Sequence, residues 1–197
     1  GDRLALAPTA FESNAVDDVI VTSYDDTTGD VVLNKALNHY HWGNATSDNI
    51  YGTDIRGEVM ILTRNILIHG EDIETWGGQI VTSDTIEEDG KVRVGQMIMH
   101  NVEVFNCSQK DTRNAAIRFE GATGNWSHVK GSSIHNGHGW GIHVINSANV
   151  KIEDSIIYSF KPVGVGLLTV QNVTFVNNIV SRIYFREGIA AHKTVDL

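Results

Sequence analysis

Trp140 to Phe160 reads WGIHVINSANVKIEDSIIYSF, and Val163 to Ile183 reads VGVGLLTVQNVTFVNNIVSRI. The two segments superpose at a constant offset of 23 residues. Ile142 falls on Val165, Asn149 on Asn172, Val150 on Val173, Ile152 on Phe175, Asp154 on Asn177 and Ile156 on Ile179. Repeats of this length, built from short β-branched runs with no helix between them, point to a solenoid. The physical form is a parallel β-helix with about three short strands per coil. Alternate side chains of each strand point inward, so Val150, Ile152, Val173 and Phe175 are expected to stack in a core. Asn149 and Asn172, one coil apart, are expected to form an amide ladder at a corner. A β-sandwich would show hairpin turns and polar-out alternation, but no fixed offset.

Earlier copies of the repeat begin near Glu58 and fit only with insertions. An Asn before a β-branched residue recurs at Asn65, Asn101, Asn149 and Asn172. Upstream, Val19 to Tyr24 and Asp30 to Leu33 read as a hairpin around Asp-Asp-Thr-Thr-Gly. The division expected is residues 1–55 as a small β region and 56–197 as β-helical coils, an all-β chain throughout.

With 197 residues, 41% hydrophobic and 20% charged, the chain can bury a core and is not a disordered tail. A formal net charge of −9 argues against a nucleic-acid partner, which needs a positive field. The one cysteine, Cys107, has no internal partner and is expected to be a small buried residue. Sequons at Asn44, Asn106, Asn125 and Asn172 lean toward an extracellular glycoprotein carrying N-linked glycans. The opening GDRLALAPTAF and the closing REGIAAHKTVDL suggest a segment of something longer.

Ile134 to Val144, IHNGHGWGIHV, packs three histidines into eleven residues. His135 and His138 flank Asn136-Gly137, which has tight-turn chemistry. Metal ligation would need a third ligand of clear type, and none lies nearby. The expectation is surface or corner histidines and no metal site. His143 alternates with Ile142 and Val144, so it should point outward. Arg118, Glu120 and His143, with His135 a further candidate, could then line an outward row on neighbouring coils. There Glu120 would serve as an acid and Arg118 would hold a substrate carboxylate. The plainer reading is an ordinary salt bridge. Three acidic clusters, Asp25/Asp26/Asp30, Glu71/Asp72/Glu74 and Glu87/Glu88/Asp89, are candidates for calcium, although none has a recognised calcium-loop spacing. Solvated turns are the expected role. Trp42, Trp76, Trp126 and Trp140 sit beside Gly or Asn and are expected at corners.

The stretches DIRGEVMILTRNILIHGE, WGGQIVTS, VGQMIMHNVEVFNC and SHVKGSSIHNGHGWGIHVINSANVKIEDSIIY resemble the fibrocystin and fibrocystin-like family, which is related to the cell-surface hyaluronidases. The resemblance implies a right-handed parallel β-helix preceded by a G8-like β domain, whose end GDRLALAPTAFESNAVDDVIV resembles. The hyaluronan-degrading relatives carry Val-His-Phe-His where this chain has Ile117, Arg118, Phe119 and Glu120, so both histidines are replaced. The expected function is therefore a non-catalytic structural or adhesive module of a larger surface protein or filament. Its partners would be protein chains, copies of itself included, or a polysaccharide. A hyaluronan-type carbohydrate-active enzyme and a glycan-binding module are the alternatives.

Overall fold

The computed structural model describes residues 1–44 and 54–195, which divide into two compact units meeting between Thr63 and Arg64. The first unit is an antiparallel sheet of β1 (Arg3–Leu6), β2 (Asp17–Tyr24), β3 (Val31–Leu33) and β4 (Val59–Ile61), in the order β3-β2-β1-β4. The expected hairpin is β2 and β3. Its turn is closed by Asp25 Oδ1, which accepts the Thr27 and Thr28 amides at 2.8 and 3.3 Å, with Gly29 at φ +79°. Sequence reading placed the boundary at 55/56. It lies eight residues later because Leu6, Ala5 and Leu4 pair with Val59, Met60 and Ile61, which ties β4 into this sheet.

Asp17 organises the loop that follows β3. Its carboxylate, buried with Ala5, Ala15, Val19, Met60 and Leu62, accepts the Asn38 and His39 amides, the Asn38 side chain and His41 Nε2, all within 3.1 Å. Burial alone would raise its pKa. The bonds from the Asn38 amide, the His41 ring and the His39 amide outweigh that and hold it well below the usual carboxylate range.

The second unit is a parallel β-helix. Its strands are β5 (Ile66–His69), β6 (Ile80–Thr82), β7 (Thr85–Ile86), β8 (Val92–Arg93), β9 (Ile98–His100), β10 (Val102–Phe105), β11 (Ile117–Glu120), β12 (Ser127–Lys130), β13 (Ser133–His135), β14 (Ile142–Ile145), β15 (Ala148–Glu153), β16 (Ile156–Phe160), β17 (Val165–Val176), β18 (Ile179–Ile183) and β19 (Ile189–Val195). One face stacks β5-β10-β13-β16-β18. The other two faces join in a single sheet, because β17 is long enough to pair with β14 at its start and β15 at its end. Ser133, Ile156 and Ile179 are register partners, which is the 23-residue repeat. Glu103 pairs with Ser133, 30 positions on, and Leu67 with Glu103, 36 positions on. The extra residues lie mainly in the 70–79 loop, the β7–β8 hairpin and the 106–116 loop.

Inward residues stack in columns, as the period-two strand requires. Val104, Ile134 and Ile157 are fully buried in one column, and Phe119 and Val144 in another. Val150, Ile152 and Val173 join this core, with Phe175 packed against it. The corners are columns too. Asn106, Asn136, Ser159 and Arg182 have φ of 52°, 53°, 61° and 54°, and Asn101, Gly131, Asp154 and Asn177 have 55°, 57°, 51° and 53°. Asn149 and Asn172 form the expected ladder, Asn172 Nδ2 donating to Asn149 Oδ1 at 2.8 Å. Asn101 belongs to a different corner from Asn149, so the recurring Asn motif marks two corners rather than one.

Two tests follow from these contacts. Asn149→Ala should lower the unfolding free energy by about 2 kcal/mol, because it loses the ladder and leaves a Cβ residue in the left-handed region. Asn149→Gly should recover roughly half of that in urea denaturation, and equal losses would refute the conformational part. Asp17 titrates lower folded than unfolded, so its stabilisation is complete above the ordinary carboxylate pKa and is lost as pH falls through the depressed value. Asp17→Asn should cost about 2 kcal/mol at pH 7 and flatten that acid limb.

Candidate functional site

The outward row lies on the face made by β6, β11, β14, the start of β17, and β19. Val81, Arg118, His143, Gly166 and Ala190 are successive register partners. Ile117, Phe119, Ile142 and Val144 point into the core and are fully buried, so Arg118 and His143 face out. The structure therefore brings Arg118, Glu120 and His143 onto neighbouring coils. Arg118 Nη2 donates to Glu120, and Nη1 donates to Asn114 Oδ1 at 2.8 Å and to Gln79 Oε1 at 3.3 Å.

His143 borders a cleft of about 450 Å³ along this face but presents almost none of its surface to it. It is 3% exposed, because the Trp140 ring folds over it with centroids 4.8 Å apart. Trp140 can lie there because the next residue in the column is Gly166: a Cβ at that position would sit 2.3 Å from Trp140 Cζ3. The Arg113 guanidinium stands 5.9 Å from the Trp140 ring centroid and completes the cover. Burial pushes the His143 pKa down, and the positive charges of Arg118 and Arg113 push the same way. A hydrogen bond with the Arg113 backbone and the Glu120 charge oppose them. His143 is thus a neutral packing group in the folded chain at neutral pH.

His135 is not in this row. It sits on the face of β10, β13 and β16, between Phe105 and Tyr158 in register, and is fully buried. Its Nε2 is 3.1 Å from Glu103 Oε1, and its Nδ1 is 2.7 Å from Asn136 Oδ1. The expectation of a surface or corner position fails for this residue, because an outward strand position here is covered. His138 does lie at the corner, with Nε2 3.6 Å from Asp72 Oδ1. Among the described residues no group of three or more His, Cys, Asp or Glu is placed to hold a metal ion. Asn136-Gly137 turns as expected, and a Cβ at Gly137 would lie 2.1 Å from Phe160 Cε1.

The acidic clusters are occupied with turn chemistry. Asp72 Oδ1 accepts the Thr75 amide at 3.2 Å, Glu87 pairs with Arg93 at 2.9 Å, and Asp89 accepts the Lys91 amide at 2.9 Å. Of the sequon asparagines, Asn125 and Asn44 are exposed, although Ala45 and Thr46 of the Asn44 sequon lie outside the described residues. Asn106 and Asn172 are half-buried corner residues, and Asn172 spends its amide on the ladder. Cys107 is buried, which pushes its thiol pKa up.

Sequence reading missed a cleft of about 660 Å³ on the corner loops. Its walls include Lys110, Arg113, His138, Trp140, Lys161 and Arg186. The cations are scattered in sequence. Only the corner columns, which they follow by two to seven residues, align them.

A family model described as right handed beta helix region matches residues 99–194. The chain is 24% identical to fibrocystin of Mus musculus over 181 residues, covering 91% of this chain and 4% of that relative. It is 26% identical to fibrocystin-L of Mus musculus over 207 residues and 25% identical to fibrocystin-L of Homo sapiens over 205, each covering 82% of this chain and 5% of the relative. The chain thus spans about one twentieth of the length of these relatives, and its likeness to them is distant. The matches agree with the right-handed parallel β-helix and with a fibrocystin-like relationship.

If Trp140 is what keeps His143 dry, Trp140→Ala should move the His143 pKa up toward the ordinary histidine value in an NMR titration. In the parent chain the depressed pKa makes stability complete above the ordinary histidine pKa and erodes it as pH falls toward the folded value. That slope should shrink in the variant, alongside a loss of up to about 3 kcal/mol. An unmoved titration would refute the cover.

Proposed function

We propose that the chain is a rigid, non-catalytic β-helical module of a larger extracellular or cell-surface protein. The observation that carries this reading is the engagement of the outward row. A β-helical depolymerase works on a sugar chain laid along its outward side chains. Here the row's imidazole is sealed by Trp140 and Arg113, and the guanidinium of Arg118 is held by Glu120, Asn114 and Gln79. Those side chains act as packing and crosslinks between coils. The exposed sequon Asn125 and the distant likeness to much longer fibrocystins support an extracellular setting within a larger chain. The first sixty or so residues, in this reading, serve as a separate β domain of the same module. Its partners would be protein chains, copies of itself among them.

The competing reading is a hyaluronan-type enzyme with Glu120 as acid. Glu120 supports it to the extent that its carboxylate remains about half exposed beside Arg118. Reducing-end release from hyaluronan and from neutral glycans, with and without calcium, separates the two. The module reading expects no product, and expects Glu120→Gln to change stability by about 1 kcal/mol or less. Turnover that disappears in Glu120→Gln and Arg118→Ala would replace it.

A further inference from the structure

We propose that the corner cleft binds a sulfated sugar chain running along the β-helix axis. Lys110, Arg113, Lys161 and Arg186 all line it and are all exposed. None of the four is ion-paired with a carboxylate of the described residues. Elsewhere Arg56, Arg93, Lys130 and Lys151 are paired with carboxylates, and the exposed Lys35 and Lys91 stand singly, so among the described residues the cleft is where four such cations line one site. Asp111 is the one carboxylate among the described residues of the cleft lining.

The arrangement favours an extended ligand over a single small anion. Lys110 and Arg113 come from the loop of one coil, Trp140 from the next, Lys161 from the third, and Phe185 with Arg186 from the fourth. Coils stack about 4.8 Å apart, so the cations are spread over roughly 14 Å along the axis. Two of them are held in place by rings: Arg113 over Trp140 at 5.9 Å and Lys161 over Tyr184 at 5.0 Å. Guanidinium groups match the oxygens of a sulfate in paired hydrogen bonds, and ammonium groups supply point charge. Phe185, 86% exposed at the edge of the cleft, offers a flat apolar face for a sugar ring. Cations at this density match a ligand with several anionic groups within a few sugar units. A sulfated chain meets that demand and an unsulfated one falls short.

The inference uses the extracellular reading only to say where such a chain would be met, and it concerns a site separate from the outward row. The test is titration of the whole chain with heparin oligosaccharide, with chemically desulfated heparin and with poly-glutamate, at two salt concentrations. Saturable, salt-sensitive binding of the sulfated probe is expected, with clearly weaker binding of the other two. Lys161→Glu with Arg186→Glu should weaken it roughly tenfold or more, the scale of two lost charge-assisted contacts. The exposed pair Lys35→Glu with Lys91→Glu makes the same change in net charge elsewhere and should leave binding within about twofold. Unchanged melting of both variants shows that each still folds. Equal binding of the desulfated chain or of poly-glutamate overturns the proposal. So does equal weakening by both charge pairs, or no binding at all. Product release from hyaluronan would defeat the module reading and leave this one standing.

Discussion

A stack of coils stays in register only if every coil turns at the same corners. In this molecule the turns are made by residues in the left-handed region, and those residues are aligned from coil to coil. The conformation costs an ordinary residue roughly 1–2 kcal/mol, which Gly escapes and Asn or Asp reduces through local hydrogen bonds. That is why the corners are written largely in Asn, Asp and Gly. It is also why they repeat at the spacing of the coil rather than at the spacing of a strand. The Asn177 amide on Asp154, at 2.6 Å, and the Asn172 amide on Asn149 convert a local cost into a contact between coils. The stacked apolar columns depend on this, because a one-residue slip in the pairing of a strand would turn every inward side chain of that strand outward.

The same constraint decides where chemistry can sit. Along a face, an outward side chain has fixed neighbours above and below it, and the small residues Gly166 and Ala190 leave room for a large ring from the coil before. Trp140 takes that room, and His143 becomes part of the packing. At a corner the loop length is free: the 106–116 loop is longer than its counterparts in later coils without disturbing the strands on either side. Exposed, unpaired charge is therefore tolerated on the corner loops, while the faces spend their charges on one another. The His128–Glu153–Lys130 and Lys151–Glu153 contacts show this on the third face. They hold Glu153 at about 2, mainly through the bonds from Lys151 and Lys130.

The coils from Ser133 onward were legible because nothing interrupts their 23-residue period. Val150, Ile152 and Val173 then fall inside by alternation alone, and Asn149 and Asn172 meet because they share a position in the period. The earlier coils were blurred by the β7–β8 hairpin and the 106–116 loop, which change the spacing without changing the stack. The recurring Asn motif misled in detail, since Asn101 and Asn149 play the same conformational role at different corners. His135 was misjudged for another reason. Alternation tells which side of a strand a residue takes, and it does not tell what covers that side. His135 points away from the core of columns and is still fully buried, with Glu103 against its ring. The boundary after Thr63 was hidden because β4 is an ordinary apolar strand whose antiparallel pairing with β1 has no local signature.

Net charge was the least informative number in the sequence. A total of −9 says only that carboxylates outnumber cations, and it carries no record of which charges the fold cancels. Many of the carboxylates are neutralised or absorbed locally: Asp17 by four donors, Glu103 by an imidazole and the Arg64 amide, Glu153 by two ammonium groups and a histidine. Others cap turns such as those at Asp25 and Asp89. Among the described residues, Lys110, Arg113, Lys161 and Arg186 have no such carboxylate partners. A solenoid carries one segment of sequence per coil past the same place, so four isolated cations in the sequence become one strip in space. An acidic chain can in this way hold a cationic cleft, and the net charge that argues against a nucleic-acid partner describes the molecule's average field, not this corner.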